Sequence, residues 1–289
     1  MSNKLYAALL AAGLMTAPGI ASAGIDGTTG KIQSAVQANS VDAIVAELER
    51  AENIPERGAF DTVLKLIDHD SDRVREAAGW WLGRRGVRQK VIAMAEQRLN
   101  AQDPTAARNV LDTLRGMRDV VTLDLISGYV AHPLDEQSGI AGLRAIGAIG
   151  APKGLGALTP ALGSSMIGVR VQALRTVREL RAPIGQHVVT VGTAYIPLLS
   201  DADESVRREA ALTLGFLGQG GLNPDLDSSG TNALIGAVQN DTSAKVRKAA
   251  AWALGEIGAA AGRTALQKAM TDGDAMVRSV ATAAAGRLH

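Results

Sequence analysis

Cysteine is absent from this 289-residue chain, which removes disulfides, thiol nucleophiles and thiolate metal sites together. Aromatic residues are scarce, with three Trp, three Tyr and two Phe, so the interior has to be filled by small and aliphatic side chains and the place of each ring becomes informative. Charge of one sign is missing too. The 30 Lys and Arg residues face 29 Asp and Glu, which leaves no net field of the kind that phosphate backbones select, and no nucleic-acid partner is expected. No stretch beyond the N-terminal region stays free of charge long enough for a membrane span, which needs roughly 20 apolar residues.

Catalytic signatures are equally sparse. The histidines His69, His132, His187 and His289 are scattered, the first three being followed by Asp70, Pro133 and Val188. There is no phosphate-cradling Gly-rich loop after a strand, no nucleophile elbow and no metal-spaced His/Asp/Glu cluster. The expectation is a protein that is not an enzyme and carries no cofactor.

What is present is a repeat. A block reading V-R-x-x-A-x-x-x-L-G-x-x-G stands at Val206 to Gly218, and its first position recurs at Val74, Ala106, Ser138, Val169, Val206, Val246 and Val277, with gaps of 32, 32, 31, 37, 40 and 31 residues. Four residues past these anchors stand Ala78, Val110, Gly142, Ala173, Ala210, Ala250 and Ala281; eight past them stand Leu82, Leu114, Ile146, Val177, Leu214, Leu254 and Ala285. Small or apolar residues at steps of four describe one face of a helix. The position after that is Gly83, Gly147, Gly215, Gly255 and Gly286 in five copies, but Arg115 and Arg178 in the other two.

A second apolar stretch precedes each block, as at Phe60 to Ile67, Val91 to Leu99, Val120 to Val130, Ala233 to Val238 and Leu266 to Met270. The unit is therefore a pair of helices. Acids stand before the second helix at Asp70, Asp72, Asp103, Asp135, Asp201, Asp203, Asp241, Asp272 and Asp274, where they suit N-caps and the positive end of the helix dipole. The Gly-x-x-Gly endings Gly83/Gly86, Gly215/Gly218 and Gly255/Gly258 read as C-caps and turns. Stacked pairs of this size form an all-α solenoid, a superhelix of about seven to eight repeats in which each repeat buries its face on the next.

Over residues 58 to 289 this pattern resembles the HEAT-like repeats associated with the phycobilin lyases, most closely in the helices beginning at Val74, Val206 and Val246. The resemblance implies first helices on a convex side and second helices lining a concave one. It also implies a structural ladder in which an Asp before the second helix meets an Arg at its second position. On this chain that maps to Asp72, Arg75, Arg170, Asp203, Arg207, Asp241, Arg247, Asp274 and Arg278, with interruptions at Ala107 and Gly139. Enzymes of this repeat class use paired His-Glu motifs for a di-iron site, as in deoxyhypusine hydroxylase, or attach tetrapyrroles. This chain has no His-Glu pair.

At 100° per residue, positions two, six and ten past the anchor lie opposite the anchor, fourth and eighth. That open face carries Trp80, Arg108, Arg144, Arg175, Arg208, Leu212, Phe216, Lys248 and Trp252, an arginine and aromatic mixture typical of interaction hot spots. The expectation is a scaffold or adaptor that binds a protein or peptide with acidic and apolar groups on its concave face. The same residues also fit a plainer role, tryptophans plugging gaps between repeats and arginines forming a solvated face. The lyase resemblance supplies another alternative, an assembly or maturation accessory for an exported enzyme or cofactor protein.

Three further segments carry expectations. Lys4, the apolar run Leu5 to Met15, Pro18 and Ala21-Ser22-Ala23 follow the order of a cleaved signal peptide over residues 1–23, which points to the periplasm first and secretion second. Residues 24–57 then form capping helices. Asn223, Asp225 and Asp227 alternate as calcium ligands do, but Ser228 and Leu234 stand where such a loop needs Gly and Glu, so a polar turn with no metal is the expectation. The last helix, Met276 to Leu288, is bland at Ala283 and Ala284, which leaves dimerisation through that end open.

Overall fold

The computed structural model describes residues 26–51, 57–84, 86–184, 194–219 and 228–288. The expected leader at 1–23, His187, His289 and the Asn223, Asp225, Asp227 loop lie outside the described residues. Among the described residues all regular structure is helical, and the fold is an all-α solenoid. The chain divides into two compact units, Met1–Thr122 and Leu123–His289.

Unit one contains α1 (Asp26–Gln37), α2 (Val41–Arg50), α3 (Phe60–Lys65), which runs into the 3-10 turn Leu66–Asp68, then α4 (Asp72–Gly83), α5 (Arg88–Leu99) and α6 (Pro104–Met117). Helices α2, α4 and α6 pack side by side as a row of second helices. Their core is aliphatic, built on Ile44, Leu48, Val63, Ile67, Val74 and Leu82. Its one large ring is Trp81, fully buried and set edge-on to Phe60 at 5.4 Å between centroids, a favoured geometry for aromatic pairs.

Unit two repeats the plan with α7 (Leu123–Ala131), α8 (Glu136–Ile149), α9 (Gly154–Leu162), α10 (Ile167–Ile184), α11 (Glu204–Gly218), α12 (Ser229–Asn240), α13 (Ala244–Ile257), α14 (Arg263–Ala269) and α15 (Ala275–Ala285). Second helices α8, α10, α11, α13 and α15 form the continuous row; α7, α9, α12 and α14 pack against its other side. Helix α10 runs to Ile184, and the described residues 194–200 before α11 are in 3-10 conformation.

Anchor, fourth and eighth positions are buried along these helices except at Ala106 and Ala285, which are half-buried, and positions three and seven are buried except at Ala77 and Val280, which widens the stripe toward the sixth. Two of the buried seventh-position threonines cross-link the row: Thr176 Oγ1 donates to the Leu143 carbonyl at 3.3 Å and Thr213 Oγ1 to that of Leu174 at 3.1 Å. Ser138, the polar anchor of its copy, is satisfied by the Tyr129 hydroxyl at 2.8 Å and by its capping box with Asp135.

The glycines after the eighth position need correction. Gly83, Gly215, Gly218 and Gly255 are inside helices and cap nothing. Gly215 and Gly255 are slots for the next helix: a Cβ on either would fall 2.8 Å from the Cα of Ala253 or Ala284. Gly258 does cap its helix as the sequence implied, left-handed at φ 72°, and Gly150 does the same in the third copy at φ 68°. In the second copy that position is Arg118, left-handed at φ 51° without glycine's freedom.

The ladder is also differently wired than the sequence reading placed it. Arg207 Nη1 donates to the carbonyls of Asp201 and Ala202 in its own loop, at 3.0 and 3.2 Å, while Nε and Nη2 reach Asp241 of the next repeat at 2.7 and 3.1 Å. Arg247 repeats this with its own loop and Asp272, and Arg170 reaches Asp201. Asp203 and Asp274 are not rungs; they are N-caps, each accepting two backbone N–H groups of the helix that follows. Asp72 sits inside α4, exposed, and among the described residues accepts the N–H of Arg73 and no other donor. The rung lies two residues before the cap, because only there does the carboxylate both face the preceding repeat and accept its own loop's N–H. Arg278 donates to the carbonyls of Asp272 and Gly273 and, among the described residues, meets no carboxylate.

The first rung is improvised. The second copy has Ala101 where Asp201, Asp241 and Asp272 stand in later copies, and Arg75 turns instead to Asp112 on α6, at 2.6 and 3.0 Å, with both side chains buried. That overturns the expectation of an open sixth position at Asp112. Burial pushes the Asp112 carboxyl up against the pull of Arg75. At Asp201 and Asp241 burial also pushes up, but arginine and backbone hydrogen bonds with nearby guanidinium charge win, and both lie below the usual carboxylate range; at Asp272 the Arg247 hydrogen bond leads, with the same outcome. These three acids stabilise the fold above the ordinary carboxylate range and lose that contribution as pH falls through their lowered values.

Arg118→Gly tests the capping account. Relieving a left-handed arginine is expected to raise stability by about 1 kcal/mol, less the extra freedom of the unfolded glycine. A thermal melt should show a higher Tm, and a lower one contradicts the assignment.

Candidate functional site

The sequence-predicted face divides between the units. In unit one, Trp80 is half-buried, with the Arg84 guanidinium over its ring at 4.5 Å. It helps to line a cleft of about 540 Å³ formed by Val45 and Glu49 of α2, Arg73, Glu76, Ala77 and Trp80 of α4, and Gly116 and Arg118 at the end of α6. That volume falls in the range of small-ligand pockets, about 300–1,000 Å³, yet its charges are mixed. Arg73 pairs with Asp42 at 2.9 Å and Arg115 with Glu76 at 3.2 Å. Arg108 does not line this cleft; it is half-buried, and among the described residues its Nε has no hydrogen-bond partner.

Unit two brings most of the face together. Glu209, one helical turn from the Val206 anchor and only 2% exposed, receives Arg178 at 2.6 Å, Arg175 at 3.3 Å and Arg208 at 3.5 Å. Arg178 also donates to Thr213 Oγ1 at 2.9 Å and lies 5.7 Å from the Phe216 ring centroid. Phe216 in turn meets Trp252 at 5.5 Å. Trp252 is half-buried: one edge covers Gly215, where a Cβ would come within 2.7 Å of the ring. The plug and the surface readings thus each describe part of the same side chain. Leu212 and Lys248 are partly exposed in the same row of helices, and Arg144 is exposed on α8.

Three guanidinium groups converge on one buried carboxylate, which leaves a surplus of positive charge. Only Arg178 is held tightly. The two weaker contacts belong to Arg175 and Arg208, whose side chains are 46% and 42% exposed, so their remaining donors face outward. A buried acid with planar, always-charged partners makes a preorganised anchor for a carboxylate or similar anion. The aromatic pair beside it supplies rigid apolar area at little entropic cost.

Sequence reasoning missed Arg178 and Glu209. The signal was present in the two copies that lack glycine after the eighth position. Arg115 and Arg178 stand there, and each crosses to an acid of a neighbouring second helix, Glu76 or Glu209. Among the described residues no group of three acids, histidines or cysteines is placed to hold a metal, and no helix is long and apolar enough to cross a membrane.

Residues 193–287 match the protein family described as HEAT repeats. No curated protein matches the sequence. Among solved structures, a designed armadillo repeat protein in complex with the peptide (KR)4 is 18% identical over 69% of this chain and 100% of its own, with a TM-score of 0.52. An engineered protein is 18% identical over 93% of this chain and 79% of its own, TM-score 0.55. A mutant of Kap121p is 12% identical over 95% of this chain and 35% of its own, TM-score 0.60. At these identities the likeness is one of fold, that of repeat solenoids.

Glu209→Ala tests the anchor. Losing the carboxylate strands Arg178, while the more exposed Arg175 and Arg208 swing to water, so the cost is expected near 1–3 kcal/mol rather than the 3–5 of a fully buried pair. Urea denaturation that gives no loss would show that the cluster does not organise this face.

Proposed function

We propose that this chain is a non-enzymatic scaffold or adaptor that captures an acidic, apolar segment of a partner protein on the second-helix face of unit two. The observation that carries the reading is the Arg175, Arg178 and Arg208 cluster on Glu209 beside Phe216 and Trp252. The solenoid neighbour seen with a peptide holds (KR)4, a basic ligand. The strip here is itself basic, the same sign as that peptide, so it would repel such a ligand and fits an acidic one. Lys248 and Arg144 extend the same charge, and Leu212 adds apolar area.

We further infer that the protein works in the periplasm. Support comes from the order Lys4, Leu5 to Met15, Ala21-Ser22-Ala23, which suits removal of residues 1–23 by a signal peptidase. Without that segment the chain has 29 basic and 29 acidic residues, so the positive strip is local and owes nothing to net charge.

A fluorescently labelled peptide with three Glu-Glu-Leu-Phe units is the direct probe, read by anisotropy. Binding is expected to weaken by about tenfold or more between roughly 50 and 300 mM salt, and to be lost in Trp252→Ala and in the double variant Arg175→Ala/Arg208→Ala with helical circular dichroism retained. Tighter binding of (KR)4, or undiminished binding by the folded variants, would refute the reading.

A further inference from the structure

The rung position carries a hidden substitution. In three later repeats it is an aspartate whose carboxylate accepts the backbone N–H two residues on: Asp201 from Asp203, Asp241 from Ser243 and Asp272 from Asp274, each at 2.8 Å. In the turn before α4 the position is His69, and its Nδ1 accepts the N–H of Ser71 at 3.0 Å. The imidazole thus takes the place of the carboxylate. The His69 carbonyl and that of Asp70 also accept from Arg75 Nη1, at 2.5 and 2.9 Å, so one turn holds both the start of α4 and the buried Arg75–Asp112 pair.

This helix start has little other support. Ser71 is the N-cap of α4 but makes no side-chain cap bond, whereas Asp103, Asp135, Asp203, Ser243 and Asp274 all do so at theirs. A ring nitrogen accepts a hydrogen bond only when it carries no proton. The Asp201, Asp241 and Asp272 turns keep their acceptor until the carboxylates themselves titrate. An imidazole ordinarily titrates between about pH 5 and 8.

Charged groups surround the turn. On its own segment are Asp68, Asp70 and Asp72, with Arg73 and Arg75 following on α4. From the packed elements come Arg98 of α5, which pairs with Asp68, Asp112 of α6, which pairs with Arg75, and Asp42 of α2, which pairs with Arg73. Asp70 and Asp72 are exposed and in no salt bridge among the described residues, so an imidazolium that leaves the Ser71 N–H has acids to turn to, away from the Arg75 guanidinium.

We propose that His69 is a proton-operated latch on the first turn of α4. Neutral imidazole closes the turn. Protonation replaces an acceptor with a donor, opens the turn and frees the segment that presents Arg73 and Glu76 to the unit-one cleft. The proposal is independent of what unit two binds.

Amide hydrogen exchange on the full chain tests it, with each segment corrected for its intrinsic rate. On going from about pH 7.5 to 5.5, protection of residues 72–77 is expected to fall about tenfold relative to 204–209, the matched segment closed by Asp201. His69→Asp and His69→Asn restore a non-titrating acceptor in this range and should abolish the fall; if one fails to fold, the other decides. An unchanged ratio in the natural chain, or the same fall in a folded variant, overturns the latch.

Discussion

One arginine, placed immediately after the anchor of the second helix, organises the repeats. Its geometry explains why. From that position the guanidinium reaches back to two carbonyls of its own interhelical loop and forward to a carboxylate of the next repeat, as Arg207 and Arg247 do. A planar fork with five donors can do both at once, and a lysine cannot. The arrangement ties the loop carbonyls to the next repeat through one guanidinium, and it bears on the register in which second helices meet. Most of the energy comes elsewhere, from the aliphatic stripe and the close approaches at Gly215 and Gly255, since ion pairs away from water give back much of what they gain. The ladder's part is specification: it chooses one stacking among many that small-residue helices permit.

Departures from the ladder are where the chain becomes individual. Ala101 leaves Arg75 without its regular partner, and Asp112 answers from a helix position that is half-buried or exposed in the other copies. His69 stands in for an aspartate. Arg178 replaces a glycine and reaches Glu209. Each change is local, yet each moves charge from the structural seam to the surface or back. In unit two the outcome is a cluster of arginines beside an aromatic pair, the feature on which the proposed partner capture rests. In unit one the outcome is a mixed-charge cleft floored by Trp80. Both are products of repeat drift on an unchanged scaffold.

Much of the fold was legible because periodicity is a one-dimensional signal. Anchors four residues from alanine and eight from leucine can only be one helix face, and the loop acids mark where the second helix begins. Wiring was harder to read. Two acids separated by one residue, as in Asp201 and Asp203, look equivalent in sequence, but one caps a helix and the other holds an arginine 31 residues away. Glycines near a helix end look like caps whether they turn the chain or admit a neighbour. The face itself was only partly readable: an angular wheel places Trp80, Trp252, Arg175 and Arg208 outward, but cannot show that Glu209 draws three arginines together, because that depends on how far neighbouring helices slide past each other.

A double-mutant cycle on Arg207 and Asp241, each replaced by alanine, bears most directly on the ladder as the source of register. Both side chains are largely buried, at 16% and 7% exposure, and bonded through two atoms each, so a coupling energy of about 1–3 kcal/mol in urea denaturation is predicted. Additive losses, with coupling under about 0.3 kcal/mol, would mean the pair merely decorates a stack that hydrophobic packing alone aligns.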